Sequence, residues 1–321
     1  MRTVVIGARG SSLSRCQAEI VRVQLEARWR DHRCVIKTIK ARADRRPDVP
    51  MVAFSGEGIF VKELEAALVG GQIDCAVHSL KDLPLETPGE LTITAITERE
   101  EARDAFISRS GQGFGEMPPA ARIGTSSLRR VSQLRRRRTD VEFADIRGNV
   151  DTRLRKLQDG QYDAIVLAAC GLIRLGLEDR ITELLSLEVM LPEPGQGCLA
   201  VEARRSDGEL IEMLRSFDHA PSRACVEAER SFLRALGGGC RVPIAAYASC
   251  TQEGTMTLEG TVVSADGRQA LRDRLSGPMM DPMALGEHLA SRLIERGAVD
   301  LLGNAIGRAL TERKGRSAPH A

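Results

Sequence analysis

A strand–turn–helix pattern that occurs twice constrains the fold of this chain more than any other feature. The first copy begins with the apolar run Thr3–Ala8 and the second with Arg122–Gly124. Each strand leads into a serine pair, Ser11–Ser12 or Ser126–Ser127, at the start of a helical pattern. Further strands and helices alternate after each pair, which predicts right-handed crossovers and a mainly parallel sheet. The sequence therefore predicts an α/β fold with two lobes.

The other elements of the lobes follow from short apolar runs and from apolar residues at helical spacing. The first helix is predicted to extend from the serine pair to about Trp29. The remaining predicted strands are Cys34–Ile39, Ile73–Val77, Leu91–Thr97, Ala105–Ser108, Val141–Ile146, Ala164–Ala168 and Cys198–Ala203. The remaining predicted helices are Ile59–Val69, Leu128–Arg138 and Val150–Gln158.

Two segments, Glu98–Arg103 and Pro192–Gly197, cross between the predicted lobes, as in a hinged pair with a cleft between them. After His219 an amphipathic helix, three alternating strands and a last helix predict a small α+β third domain. These elements are Ser222–Leu236, 244–250, 255–263, 268–275 and Pro282–Glu295. The predicted division is residues 1–97 with 198–217 for lobe 1, 103–191 for lobe 2, 220–312 for the third domain, and a frayed tail at 313–321.

The charge of the chain is close to balanced as a whole but uneven along the sequence. The net charge is +2, yet residues 122–155 carry ten arginines against four acidic residues. This asymmetry predicts an anionic partner in one region. Aromatic residues make up only 3%, which argues against a nucleic-acid surface that stacks bases.

Targeting and metal-binding patterns are not found in the sequence. Residues 1–20 begin with a strand pattern and lack the apolar core of a signal peptide, and no run approaches the length of a membrane span. The eight cysteines have no CxxC spacing and the five histidines form no HxxxH pair. We therefore expect a cytoplasmic protein without a metal and without a membrane partner.

Both strand–serine–helix junctions are candidate anion sites, because helix N-termini present unpaired N–H groups and the positive end of a dipole. Arg9 lies at the first junction, and Arg129 and Arg130 follow the second. Ordinary N-capping by serine explains one junction equally well. Two matching junctions, together with Arg147 and Arg153, favour a ligand with several carboxylates, which arginine binds through paired hydrogen bonds.

The polar loop His78–Pro84 follows a buried strand, the position at which α/β folds bind ligands. The Asp82 carboxylate could stabilise a developing cation or transfer a proton. The adjacent Lys81 could bind an anion or form a Schiff base. A surface ion pair between the two side chains explains the pattern equally well.

The stretch Leu236–Pro243 contains three consecutive glycines immediately before Cys240. Glycine suits a backbone that bends sharply or approaches a ligand closely, so the stretch could present a thiol in open space. Taken alone, it is better explained as a helix C-cap followed by a buried, inert cysteine.

Five segments occur together in one order, namely HSLKDLP (78–84), GTSSLRR (124–130), IRGNVDTRL (146–154), PEPGQG (192–197) and GGCRVPI (238–244). In these segments the chain resembles the hydroxymethylbilane synthase (porphobilinogen deaminase) family, and the resemblance extends from Arg9 to about Ala246. It implies two periplasmic-binding-protein-like α/β lobes joined by hinge crossovers, plus a small α+β C-terminal domain.

The resemblance also implies an activity. Family members are transferases of tetrapyrrole and haem biosynthesis that carry a dipyrromethane cofactor in thioether linkage to the cysteine matching Cys240. They condense four porphobilinogen molecules head to tail on this primer with release of ammonia, and then hydrolyse off hydroxymethylbilane. The family expectation is a monomer that acts on a small molecule. Asp82 matches the catalytic aspartate of the family, with Lys81 beside it.

Site residues transfer by motif position. Besides Cys240, Asp82 and Lys81, the residues implied for the cofactor are Ser79, Thr125, Ser127, Arg129, Arg130, Arg147, Gly148 and Asn149. Those implied for the substrate are Arg9, Ser11, Ser126, Arg153, Arg174 and Gln196. The chain departs from the family pattern at Ala43, Glu57, Glu193 and Cys198, and Cys198 is a thiol that could compete with Cys240 for modification.

Two other functions fit parts of the pattern. A solute-binding or sensor protein would use the same cleft for an organic anion, but would have no use for Cys240 or Asp82. An enzyme that forms a Schiff base would be centred on Lys81.

Overall fold

The structure is a computed structural model that describes residues 2–40, 61–238 and 242–303. Cys240, the departures Ala43 and Glu57, the first residues of the helix predicted at Ile59–Val69, and the tail predicted at 313–321 lie outside the described residues.

The described strands and helices follow the predicted order closely. The strands are β1 Thr3–Arg9, β2 Arg33–Ile39, β3 Cys75–Ser79, β4 Leu91–Ile96, β5 Asp104–Ser108, β6 Arg122–Gly124, β7 Glu142–Ala144, β8 Ala164–Ala168, β9 Glu183–Leu184, β10 Leu199–Arg204, β11 Ile244–Cys250, β12 Thr255–Val263 and β13 Ala270–Pro278. The helices are α1 Ser12–Arg28, α2 Lys62–Val69, α3 Leu128–Arg135, α4 Val150–Gln158, α5 Ala169–Arg174, α6 Gly208–Arg215, α7 Ala220–Ala235 and α8 Pro282–Glu295.

Two of the sheets in the described part of the chain have five strands each and share one topology. Their strand orders are β2-β1-β3-β10-β4 and β7-β6-β8-β5-β9. The first three strands of each order run parallel, and the fourth, β10 or β5, pairs antiparallel with both neighbours. Because β5 follows the first crossover and β10 follows the second, each lobe is completed by the strand that enters from the other. The mainly parallel, two-lobed prediction is confirmed, with one antiparallel strand in each sheet.

Lobe 1 is held together by one face of α1 packed on the sheet. Ala18, Val21 and Leu25 are spaced along a single face of the helix, and all three are fully buried. They pack in one apolar cluster with Val4 and Ile6 of β1. Full burial of a valine, leucine or isoleucine side chain stabilises a fold by about 1.5–3 kcal/mol, so this face fixes α1 and its N-terminus.

The third domain consists of the antiparallel sheet β11-β12-β13, covered by α7 and α8. Phe232 of α7 and Leu289 of α8 are fully buried in its core. The two helices approach closely at Gly286, where an added Cβ would lie 2.4 Å from the carbonyl oxygen of Ala228. A side chain at this position would separate the helices. The α+β prediction for this domain is confirmed.

Some boundaries differ from the prediction. Helix α3 ends at Arg135 rather than Arg138, and the chain turns there, with the N–H groups of Arg137 and Arg138 both donating to the Leu134 carbonyl oxygen at 2.9 and 3.0 Å. The short helices α5 and α6 were not predicted. In the described ranges, no helix has the length and apolar character needed to cross a bilayer.

Candidate active site

A short 3₁₀ turn, Leu80–Asp82, follows β3 and carries the two side chains predicted to be catalytic. Leu80 is fully buried, and its N–H donates to the carbonyl oxygen of Cys198 at 3.1 Å. The turn is therefore held to the end of the second crossover. Lys81 is half-buried and Asp82 is exposed.

The Leu80–Asp82 turn borders two clefts. Asp82 lines one of them together with Arg9, Ser11 and Ser79. Lys81 lines the other, which is also bordered by Ser127, Arg129 and the third-domain residues Val242 and Ile244. Val242 is two positions beyond Cys240 in the sequence, so the second cleft borders the chain next to that cysteine.

Polar groups in the cleft beside Asp82 are ordered by local hydrogen bonds. The Ser11 hydroxyl caps α1 by accepting from the Ser14 N–H at 3.2 Å, and the Ser79 hydroxyl accepts from the Gln17 amide at 2.8 Å. A hydroxyl that accepts a bond still carries an O–H donor. Both serines can therefore donate to a carboxylate bound near Asp82.

A buried carboxylate that was not predicted, Asp104 at the start of β5, organises the base of the site. It is fully buried and accepts from Arg129 at 2.8 and 3.3 Å, from Arg130 at 2.8 and 3.0 Å, and from the Gln196 amide at 3.1 Å. Burial alone would raise the pKa of Asp104, but the two guanidinium groups outweigh it and hold that pKa well below its usual value. Asp104 is therefore a fixed anion.

Arg129 and Arg130 are thus engaged inside the protein, although the sequence suggested ligand binding. Besides Asp104, Arg129 donates to the Leu191 carbonyl at 2.8 Å and Arg130 to the Val166 carbonyl at 3.1 Å. The three charged groups together keep one net positive charge. The buried Arg129 Nε has no hydrogen-bond partner among the described residues, and Arg129 lines the cleft beside Lys81.

Gln196 connects Lys81 to this buried network. The Lys81 ammonium donates to Gln196 Oε1 at 3.0 Å, and the Gln196 amide nitrogen donates to the Ala102 carbonyl at 2.7 Å as well as to Asp104. Both ends of the Gln196 side chain are in use. The two crossovers are thereby linked beneath Lys81.

A second group of cations lies at the N-terminal end of α4. Arg153 donates through Nε to the Gly148 carbonyl at 2.7 Å, and Asn149 is the N-cap residue of this helix. Burial, and then the positive charges of Arg130 and Arg147, lower the pKa of Arg153 to about 10, while the Asp82 carboxylate opposes this shift. Burial is the larger cause of this shift, and the neighbouring guanidinium groups add to it. A ligand carboxylate bound beside Arg153 would compensate both effects.

Three further residues predicted for the site serve internal contacts. Thr125 is buried, and its hydroxyl accepts from the Ser127 N–H at 3.4 Å. The Ser126 hydroxyl donates to the Ile146 carbonyl at 2.9 Å and accepts from the Ile146 N–H at 3.1 Å. Arg174 is directed to the crossovers, where it binds the Glu100 carboxylate at 3.1 Å and the Gly197 carbonyl at 2.8 Å.

A second unpredicted carboxylate, Glu229 of α7, joins the crossovers to the third domain. It is fully buried and accepts from Arg99 at 2.8 Å, from the Gly195 N–H at 2.7 Å and from the Ala248 N–H at 2.7 Å. Arg99 belongs to the first crossover, Gly195 to the second and Ala248 to β11. The Glu229 side chain therefore connects the first crossover, the second crossover and the third domain.

Two of the departures from the family pattern lie at the site. Cys198 is buried, and this burial raises the pKa of its thiol to about 11. Because the thiolate is the nucleophile, Cys198 is a poor competitor for covalent modification. Glu193 lines the cleft beside Lys81.

Comparison with known proteins identifies the family. Residues 4–212 match the porphobilinogen deaminase, dipyromethane cofactor binding domain, and residues 223–295 match the porphobilinogen deaminase, C-terminal domain. The chain belongs to the porphobilinogen deaminase family. Both matches agree with the resemblance seen in the motifs, and the predictions of a transferase and of a dipyrromethane cofactor are confirmed.

Porphobilinogen deaminases from several bacteria align with nearly the whole chain. That of Desulforudis audaxviator is 48% identical over 301 residues, which cover 94% of this chain and 97% of that protein. That of Pelobacter propionicus is 46% identical over 301 residues, covering 94% and 96%. Among solved structures, the methionine-binding protein MetQ aligns with 67% of this chain and 89% of its own, at 13% identity and a TM-score of 0.43.

The residues present fit a dipyrromethane. Each of its pyrrole rings carries an acetate and a propionate, so the cofactor brings several carboxylates. The lowered pKa of Arg153 and the unpartnered Nε of Arg129 mark places where such groups would be stabilised.

Proposed function

We propose that this chain condenses four porphobilinogen molecules head to tail, with release of ammonia, on a dipyrromethane attached to Cys240, and then hydrolyses off hydroxymethylbilane. Membership of the porphobilinogen deaminase family supports this activity. The observation that carries the assignment of the site is the cleft in which the Asp82 side chain lies beside Arg9, Ser11 and Ser79.

The cationic and hydroxyl groups around the two clefts bind carboxylates in this proposal. Guanidinium groups hold carboxylates through paired hydrogen bonds, and serine and threonine hydroxyls add single donors. When bound, the dipyrromethane supplies the pyrrole end to which substrate is added. The proposed cofactor-binding residues are Lys81, Asp82, Ser79, Thr125, Ser127, Arg129, Arg130, Arg147, Gly148 and Asn149, and those proposed for the substrate are Arg9, Ser11, Ser126, Arg153, Arg174 and Gln196.

Asp82 is the proposed catalytic carboxylate, with Lys81 assisting. Its exposed carboxylate lines a cleft with Arg9 and Ser11, which are suited to hold a substrate carboxylate. The Asp82 carboxylate can then accept a hydrogen bond from a pyrrole N–H and stabilise the positive charge that develops as ammonia leaves.

A single Asp82 can serve four identical condensations only if the growing chain moves past it. The paired crossovers supply a hinge for this movement. Glu229 and the Lys81–Gln196–Asp104 connection tie this hinge to the Leu80–Asp82 turn and to the third domain. We infer that lobe movement is transmitted to the site through these two buried networks.

The intact mass of the purified protein tests the proposal most directly. We expect an adduct equal to two substrate-derived pyrrole rings, which gives a colour with Ehrlich's aldehyde and is lost in Cys240→Ser. A chain that has only the mass of its amino acids and still produces hydroxymethylbilane would refute the proposal.

Asp82→Asn separates catalysis from attachment of the cofactor. We expect the variant to retain the adduct by mass and to lose turnover by roughly 10²-fold or more, because a charge that stabilises the transition state is removed. Glu86→Gln is the matched control, since Glu86 is a solvent-exposed carboxylate four residues further along that pairs with Arg234 at the surface. Normal turnover in Asp82→Asn would remove Asp82 from the mechanism.

We also propose that the protein acts as a cytoplasmic monomer without a nucleic-acid partner. The proposed division of the chain is residues 1–97 with 198–217, 103–191 and 220–312, and the membership of the three sheets supports it. Light scattering should give a mass near 35.0 kDa. Limited proteolysis that cut first inside a lobe sheet, rather than near the proposed boundaries, would argue against this division.

A further inference from the structure

Two thiols of the third domain lie next to each other at the junction of α7 and β11. The Sγ atoms of Cys225 and Cys250 are 3.2 Å apart, and both cysteines are free thiols. Cys225 is buried on α7, with 6% of its surface exposed. Cys250 ends β11 and is half-buried. The activity proposed above uses neither thiol.

The thiol pair lies on the two elements that precede and follow the Cys240 segment in the sequence. Helix α7 leads into the glycines that precede Cys240, and β11 follows soon after that cysteine. One turn beyond Cys225, the Glu229 carboxylate accepts from the N–H of Ala248, two residues before Cys250. Two adjacent links thus join α7 to β11, and the second of them also holds both crossovers through Glu229.

We propose that Cys225 and Cys250 are a redox modification site, at which a reversible disulfide ties α7 to β11 and restrains the hinge. The part that concerns the hinge rests on the function proposed above. Formation of the disulfide does not.

The oxidant in this proposal is a small disulfide such as oxidised glutathione. The Cys250 thiol, which is the more exposed of the two, loses its proton and attacks one sulfur of glutathione disulfide, releasing one glutathione thiolate. The Cys225 thiol then loses its proton and displaces the second glutathione thiolate from Cys250. Two protein thiols are oxidised, one external disulfide is reduced, and the two protons are taken up by the glutathione thiolates.

The short distance between the two sulfurs favours the second step, in which Cys225 attacks, while the raised pKa of Cys225 limits the rate of that step. A disulfide requires the two sulfurs to approach to about 2.0 Å, roughly 1 Å closer than in the thiol pair. Burial and the Cys250 thiol raise the pKa of Cys225 well above its usual value, so Cys225 reacts only when a mixed disulfide is held directly against it. Slow oxidation on this pathway suits a response to sustained oxidising conditions.

The experiment uses the wild-type holoprotein, incubated with oxidised glutathione and then freed of reagent. We expect the intact mass to fall by about 2 Da with no glutathione retained, because an internal disulfide loses two hydrogens. A peptide that joins residues 225 and 250 should appear in a non-reducing digest. The melting temperature should rise by roughly 5 °C or more, because a crosslink restricts the unfolded chain.

The activity readout tests the link to the hinge. We expect turnover to fall at least about two-fold while the dipyrromethane adduct is retained, and to recover fully with dithiothreitol. Cys250→Ser should prevent the mass change, the thermal shift and the inhibition. Cys16→Ser is the matched control, because Cys16 is another half-buried thiol, 2.9 Å from the Arg174 carbonyl oxygen, and it should leave all three responses intact.

The outcomes separate the two parts of the proposal. A stable glutathione adduct on Cys250 without a crosslink would overturn the disulfide, as would a crosslink between other cysteines. A Cys225–Cys250 disulfide that left turnover unchanged would refute the restraint of the hinge. Since crosslinking is measured by mass in the wild-type protein, it is decided even if a variant folds poorly or the proposed activity fails.

Discussion

Neutralising Asp104 is the sharpest test of the buried network beneath Lys81. In Asp104→Asn, the best orientation of the amide keeps its oxygen at the Oδ1 position, where Arg130 and Gln196 donate. The amide nitrogen then replaces Oδ2 and faces Arg129 Nη1, which lies 2.8 Å from that oxygen in the wild type. Two donors oppose each other, and the two buried guanidinium groups lose the one anion that they share among the described residues.

The expected magnitude follows from the burial of this network. Removing one partner of a buried charge pair costs about 3–5 kcal/mol, because the remaining charge stays desolvated. Asp104 is 0% exposed, and Arg129 and Arg130 are 4% and 6% exposed. We therefore expect Asp104→Asn to lose about 3–5 kcal/mol of unfolding free energy. Glu212→Gln, which breaks an exposed 3.5 Å pair with Arg215, should cost only about 0–1 kcal/mol.

Urea unfolding followed by circular dichroism measures both variants, and hydrogen exchange of the α3 amides locates the loss. The pKa of Asp104 is lowered in the folded protein, so its contribution is complete above the unfolded pKa of about 3.9 and declines only below it. The difference between wild type and Asp104→Asn should accordingly stay constant from pH 7 to about pH 4 and shrink at lower pH. A loss within about 1 kcal/mol at pH 7 would show that the Asp104 charge is not needed to hold Arg129 and Arg130 in the folded protein.

Three further predictions concern the hinge and the cationic cleft. Glu229→Gln should lower the unfolding free energy by roughly 3 kcal/mol and increase hydrogen exchange in both crossovers, whereas unchanged exchange would separate Glu229 from the hinge. Gly195→Ala should impair turnover strongly, because Gly195 has φ +79° and an added Cβ would lie 2.2 Å from Leu80 Cδ2. In the control Gly176→Ala the backbone has φ +65° but an added Cβ meets open space. We expect this control to lose only about 1 kcal/mol of unfolding free energy and to keep its turnover. An equal loss of turnover in both variants would show that contact with Leu80 is not the cause. In a Cys240→Ser background, Arg153→Gln should raise the melting temperature, because it removes a charge that burial and neighbouring guanidinium groups disfavour. With Cys240 intact, Arg153→Gln should lower the fraction of protein that carries the cofactor, measured by intact mass. A lower melting temperature of Arg153→Gln in the Cys240→Ser background would show that the Arg153 charge is not destabilising.

Local pattern was sufficient for most of the fold. The apolar run at Thr3–Ala8 and the strand Thr3–Arg9 agree within one residue, because a strand covered on both faces has an unbroken apolar sequence. The six-residue helix α5 was missed, since a helix of that length has too few turns to show a helical period.

The internal contacts of the site could not be predicted from local pattern. In the sequence, Asp104 follows the charged crossover segment and looks like its last residue. Its partners Arg129, Arg130 and Gln196 are 25, 26 and 92 residues away. Glu229 likewise bonds to residues that are 130 and 34 positions distant. The motifs predict that Arg129 and Arg130 bind a ligand. They do not show that both guanidinium groups also donate hydrogen bonds to Asp104. The one available signal was the position of Asp104 directly before an apolar strand.

The exchange of β5 and β10 between the lobes has a consequence for synthesis on the ribosome. Residues 104–184 contain every strand of the second sheet, so that sheet can close as soon as this continuous segment has emerged. In the first sheet, β4 is joined to β3 only through β10, which ends at Arg204. The N-terminal segment that carries β1 to β4 must therefore wait, with a gap in its sheet, until about a hundred further residues have been translated. The part of the protein that is made first is among the last to be finished.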